Sequence, residues 1–219
     1  ISIACASAAY RKGLRKILLF IPPKLTQQTV EQALPLLRSQ LPVNFPVHVI
    51  SGQKTRKARE KASKGKAGLF IMAWSQLSIV DTEELINNVA PELIIADEAH
   101  NLSSKTSGRY KVVNTWMVEN PETEFIALSG TMGKKTLNDY YHIMKWCLKD
   151  NCPMPLTQVE LDNWANVIDS SFSEYTSDGT LLPLLRWAQN NGRPELERDI
   201  AGYRKAFNHR LAATRGVVY

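Results

Sequence analysis

A chain of 219 residues, 44% of them apolar, can bury a core of its own, and no apolar run approaches the roughly 18 residues a membrane span needs. Three cysteines, Cys5, Cys147 and Cys152, are too few and odd in number for a disulfide framework and fit a reducing, intracellular compartment. The net charge is +6, and the stretch 53–66, QKTRKAREKASKGK, carries seven basic residues and one acid, so the rest of the chain sums to zero. That local excess fits either a polyanionic partner or a solvated helix or loop.

In chain order, a helix is predicted over 2–11, then a strand, KILLFI (16–21). A second helix spans 26–40, with Thr26 as N-cap and an interruption at Pro35. Strands follow at PVHVIS (46–51) and GLFIMA (68–73). A helix starts at Asp81, and Glu84 completes a capping-box spacing. ELIIA (92–96) and EFIALS (124–129) are the last two strands, with helices at 105–118 and 135–149 around the second of them. Three of these five strands are continuous apolar runs, the pattern of strands buried on both faces of a parallel sheet. Strands alternating with helices define a doubly wound α/β layer fold. After CPMPL the character changes, and helices are predicted at 158–168, 180–190 and 194–213. The last shows an apolar stripe of Leu196, Ile200, Tyr203, Phe207 and Leu211. Two domains are expected, 1–150 and a helical extension, 151–219.

Ligands of open parallel sheets bind at the carboxyl ends of strands. Asp97 and Glu98 follow the strand ELIIA, and Ser129, Gly130 and Thr131 close the strand EFIALS. Two adjacent carboxylates at one rim need a cation, and Mg2+ carrying the phosphates of ATP would supply it. Asp97 would then hold the metal, and Glu98 would orient and deprotonate the water that attacks the γ-phosphate. His100 and the hydroxyls of Ser129 and Thr131 could sense the phosphate state across the sheet. The bland alternative for the carboxylates is a helix start, where acids are common.

The tetrapeptide DEAH (97–100) followed by LSGT (128–131) resembles motifs II and III of the superfamily 2 helicases and translocases. The flanking text is most similar to their Swi/Snf-like branch, phage and bacterial relatives included. KILLFIPPKLTQQTVEQA resembles motif Ia of that branch, and LFIMAWSQLSI resembles motif Ib. The resemblance covers residues 1–150 and implies a RecA-like ATP-binding lobe 1 whose parent couples ATP hydrolysis to movement on DNA, with duplex as the expected partner. It also implies that motifs Ia and Ib grip one strand's backbone through Pro23, Lys24, Thr26, Trp74 and Ser75. Lys105, Lys134 and Lys135 flank motifs II and III and could reach phosphates. For Trp74, base stacking and core packing remain equal readings.

The family's Gly-Lys-Thr phosphate loop is not among the 219 residues. GTMGKKT (130–136) does not replace it, because Lys135 stands where Ser or Thr is needed. The chain is expected to begin just after that loop and to lack lobe 2 with its arginine fingers. By itself it is expected to be without meaningful ATPase activity. Met132 stands where the family commonly has Pro. The alternative function is a catalytically inert RecA-like nucleic-acid-binding module.

Overall fold

The computed structural model describes residues 1–40, 45–51, 55–79, 81–130, 136–169 and 179–218. Packing divides the chain into two compact units, Ile1–Met132 and Gly133–Tyr219. Sequence patterning puts the change of character at 150; by packing, the helix that follows motif III lies in the second unit.

The first unit is built on five strands: β1 (Lys16–Ile21), β2 (Val47–Val49), β3 (Gly68–Ala73), β4 (Leu93–Asp97) and β5 (Glu124–Leu128). They form one sheet in the order β2-β3-β1-β4-β5, and every pairing is parallel. This is the RecA-like α/β fold expected from the sequence. β1 and β3 are buried at almost every position, which is why their sequences run apolar without alternation. On one face Ile17, Leu19 and Ile21 pack with Leu69, Ile71, Leu93 and Ile95 beneath α1 (Ser2–Arg11). The alternate residues serve the other face, where Trp74 stacks on Phe20 and His48 on Phe70. The chain runs from β1 outward to one edge and then crosses to β4 and β5 on the other side of β1. The switch in direction therefore falls between β1 and β4, and in open parallel sheets ligands bind at the carboxyl ends of the strands at such a switch.

Three local expectations are corrected. The segment after β1 does not start at Thr26. It begins with α2 (Leu25–Gln28), after a turn in which Leu25 N–H donates to the carbonyl of Pro22. Pro35 does not break the helix. A π-helical stretch, Thr29–Ala33, widens the turn just ahead of it, and α3 (Leu34–Gln40) continues through the proline. The wider turn relieves the clash that the ring makes with a carbonyl one turn back. No capping box forms at α5 (Thr82–Val89). Asp81 and Glu84 turn instead to Arg56 of α4 (Arg56–Ser63), at 3.5 and 2.7 Å. Charge-assisted bonds to a guanidinium outcompete a backbone N–H.

β4 and β5 are separated in the chain by α6 (Gly108–Glu119), capped by the Ser107 hydroxyl, which accepts from Tyr110 N–H. The second unit holds α7 (Leu137–Leu148), α8 (Gln158–Ile168), α9 (Leu182–Asn190) and α10 (Ile200–Ala213). Its core gathers Leu161, Trp164, Leu184, Leu185, Tyr203 and Phe207. Here α10 starts at Ile200, not at 194, because the Asp199 side chain caps it, accepting from Gly202 N–H at 2.6 Å. Leu196 still joins the core, but from the segment before the helix.

Candidate functional site: the carboxyl ends of β4 and β5

β4 ends at Asp97, and the register pairs Asp97 with Leu128 of β5. Glu98 and Ser129 thus leave the sheet side by side at the same rim. Two groups from other elements hold Asp97. The indole Nε1 of Trp74 donates to its backbone carbonyl at 2.7 Å, and the Ser2 hydroxyl donates to its Oδ2 at 3.2 Å. The second contact brings the N-terminus of α1, the positive end of its dipole, beside the carboxylate.

Glu98 has φ +58° and ψ +51°, the left-handed region that non-glycine residues seldom occupy. A conformation of this kind costs on the order of 1 kcal/mol or more and persists only where neighbours enforce it. Here they do: the Glu98 carbonyl accepts from both Asn101 N–H at 3.0 Å and Asn101 Nδ2 at 2.9 Å. Arg109 of α6 in turn donates to Asn101 Oδ1 at 2.8 Å. The left-handed turn swings the Glu98 side chain out of the strand line, leaving it 43% exposed. There its Oε2 meets His100 Nδ1 at 3.1 Å. The same ring nitrogen lies 3.4 Å from the Ser129 hydroxyl. Four sequence-predicted residues, Asp97, Glu98, His100 and Ser129, are therefore brought together at one rim. Gly130 follows, exposed. Thr131, Lys134 and Lys135 lie outside the described residues.

Of the residues assigned to a nucleic-acid surface, Pro23, Thr26 and Ser75 line one cleft of about 450 Å³ at the ends of β1 and β3, together with Ser51 and Gln76. The hydroxyl of Thr26 and the Oε1 of Gln76 are buried there with no hydrogen-bond partner among the described residues. Lys24 is exposed next to that cleft, and Lys105 is exposed after the DEAH turn. Trp74 is 2% exposed and its ring lies 5.1 Å from that of Phe20, so its face is a core face and is not offered to a base. Its contribution to the site is the N–H that fixes Asp97, a role that residue type and spacing did not announce.

The donor set fits a nucleotide-bound Mg2+. Among the described residues no cluster of three or more His, Cys, Asp or Glu side chains could form a metal cage of protein ligands. Mg2+ in nucleotide sites asks for less: one or two carboxylates, waters and substrate phosphates. Asp97, held by its carbonyl and one carboxylate oxygen, is the residue that would supply the carboxylate.

A parallel α/β sheet with an Asp-Glu-Ala-His turn at the switch point defines a helicase-type ATP-binding domain. The family model for DEAD/DEAH box helicases matches residues 2–140, and the chain belongs to that family. DEAD/DEAH domains generally use ATP with Mg2+ and bind nucleic acid. No curated protein matches the chain. Among the described residues no helix is long and apolar enough to cross a membrane.

Proposed function

We propose that this chain is lobe 1 of a Swi/Snf-like, DNA-dependent ATPase, whose parent couples ATP hydrolysis to movement on or remodelling of duplex DNA. The observation that carries the reading is the arrangement of Asp97, Glu98, His100 and Ser129 along the joined ends of β4 and β5.

Asp97 would hold Mg2+, which when bound neutralises charge on the phosphates. The N-terminus of α1, with Ser2, faces the same place and favours anionic phosphate oxygens. Glu98 orients the attacking water and accepts its proton at a carboxylate oxygen. In the state described here His100 engages that carboxylate, so Glu98 must part from the ring to reach the water. Because His100 also sits against Ser129, this exchange passes from motif II to motif III. Pro23, Lys24, Thr26, Ser75 and Lys105 would contact one DNA strand's backbone, with Thr131, Lys134 and Lys135 beyond motif III. Three free cysteines support an intracellular setting, in a bacterial or phage-infected cell.

The 219 residues contain no Gly-Lys-Thr or Gly-Lys-Ser loop, and phosphate binding by them alone lacks that cradle. Turnover is accordingly a property of the parent with its second lobe, and the chain alone hydrolyses ATP negligibly. Glu98→Gln in the parent tests the reading: DNA-stimulated ATP hydrolysis is lost with nucleotide binding kept, and retention of turnover would refute it.

A further inference from the structure

The described part of the basic stretch, residues 55–66, is centred on α4, and its two arginines and its lysines have different surroundings. Arg56 bonds Glu60 at 2.9 Å and Glu84 at 2.7 Å, with Asp81 at 3.5 Å. Arg59 reaches the same Asp81 at 3.5 Å. Both guanidinium groups thus face acids of α4 and of the start of α5. At about 100° per residue, Arg56, Arg59 and Glu60 share one side of α4, and Lys57, Lys61 and Lys64 share another within an arc of about 60°. Those three lysines are exposed and form no ion pair among the described residues.

An eight-residue helix with like charges one turn apart on its outer face is not stable by itself. This one is anchored at both ends. The Thr55 hydroxyl caps it, accepting from Ala58 N–H at 3.2 Å. Behind Lys64, Gly65 lies so close to the His48 ring that a Cβ there would stand 2.6 Å from Nε2. The arginine clamp fixes the helix to α5. The fold therefore holds a row of uncompensated positive charge in one place, about 10 Å long at 1.5 Å per residue.

We propose that this lysine face is a second contact for the phosphates of a nucleic-acid duplex, separate from the cleft lined by Pro23, Thr26 and Ser75. Point charges on flexible stems suit phosphates without reading sequence. The proposal rests on the reading that this domain binds DNA, since the charge alone would serve any polyanion.

The test is the salt dependence of binding to a fluorescently labelled mixed-sequence DNA duplex. It compares the wild-type chain with the triple variants K57Q/K61Q/K64Q and K57R/K61R/K64R and with Lys24→Gln beside the cleft. The glutamine triple is expected to lower the slope of log affinity against log salt by about one per lysine lost, two to three in all, whereas the arginine triple keeps it. Circular dichroism should be the same for all, because the altered groups face solvent. An unchanged slope in the glutamine triple, with a lowered one in Lys24→Gln, would overturn the lysine face and leave the DNA reading standing. No duplex binding by the wild type would overturn both. Loss of binding to phosphatidylserine vesicles in the glutamine triple, with duplex binding intact, would give the face to a membrane and overturn the proposal.

Discussion

The indole N–H of Trp74, at the end of β3, donates to the backbone carbonyl of Asp97 at the end of β4, although β1 lies between the two strands. The bond fixes the carbonyl of the first carboxylate residue, one step before the left-handed Glu98. Trp74 is followed by Ser75, which lines the cleft assigned to the DNA strand. The segment proposed to touch nucleic acid and the segment proposed to carry the catalytic pair are thereby joined by one partly buried hydrogen bond.

Trp74→Phe keeps an aromatic ring against Phe20 and removes only that donor. The Asp97 carbonyl is left short of a partner, at a cost of about 1–3 kcal/mol in stability. In the parent's ATPase assay kcat is expected to fall more than KM changes, because the substitution disturbs where the carboxylates point and leaves the nucleotide's other contacts alone. A purely structural tryptophan would lower the melting temperature with kcat unchanged.

His100→Ala removes the ring that lies between Glu98 and Ser129. Basal hydrolysis is expected to persist, since Glu98 remains. DNA stimulation of hydrolysis is expected to fall by about tenfold, a coupling of about 1.4 kcal/mol. The measurement is the ratio of ATPase rates with and without duplex, and an unchanged ratio would remove His100 from the coupling path.

In the second unit Asp169 caps α7 from a distance. Its carboxylate accepts from Leu137 N–H at 3.1 Å, replacing the local cap that Thr136 does not form. Burial pushes its pKa up, and the Leu137 N–H and Arg204 pull it part of the way back. Folded Asp169 thus keeps its proton to higher pH than the unfolded chain does. Its contribution to stability is fullest below the unfolded carboxylate range, about pH 4, and is lost as pH rises through the raised folded value. Melting curves across that range should fall more steeply with pH for the wild type than for Asp169→Asn, which retains an acceptor oxygen. Parallel curves would contradict this. Asp169→Ala should cost about 1–2 kcal/mol at neutral pH through loss of the cap.

The sheet was legible because β1, β3 and β4 are unbroken apolar runs, a pattern that few other structures produce. The rim was legible because motif chemistry places charge directly after such runs. What the sequence hid lies in choices between competing partners. Asp81 and Glu84 have the spacing of a capping box, yet Arg56, 25 to 28 residues earlier, takes both. Trp74 carries a polar atom on an apolar body, and only the fold reveals that the atom reaches Asp97. Asp199 looks like one more charge inside a helical run, but its oxygen meets Gly202 N–H and starts α10 six residues later than Pro194 would. Each case turns on a contact between residues that periodicity treats separately.

The central claim is that Glu98 is the proton acceptor of an ATP site whose metal ligand is Asp97. It is tested most directly by steady-state ATP hydrolysis of the parent protein with saturating duplex DNA, wild type against Glu98→Gln, alongside nucleotide binding by equilibrium titration. The expected result is a loss of turnover of at least about 100-fold with nucleotide affinity within a few-fold of wild type. Turnover at the wild-type rate in the Glu98→Gln protein would contradict it.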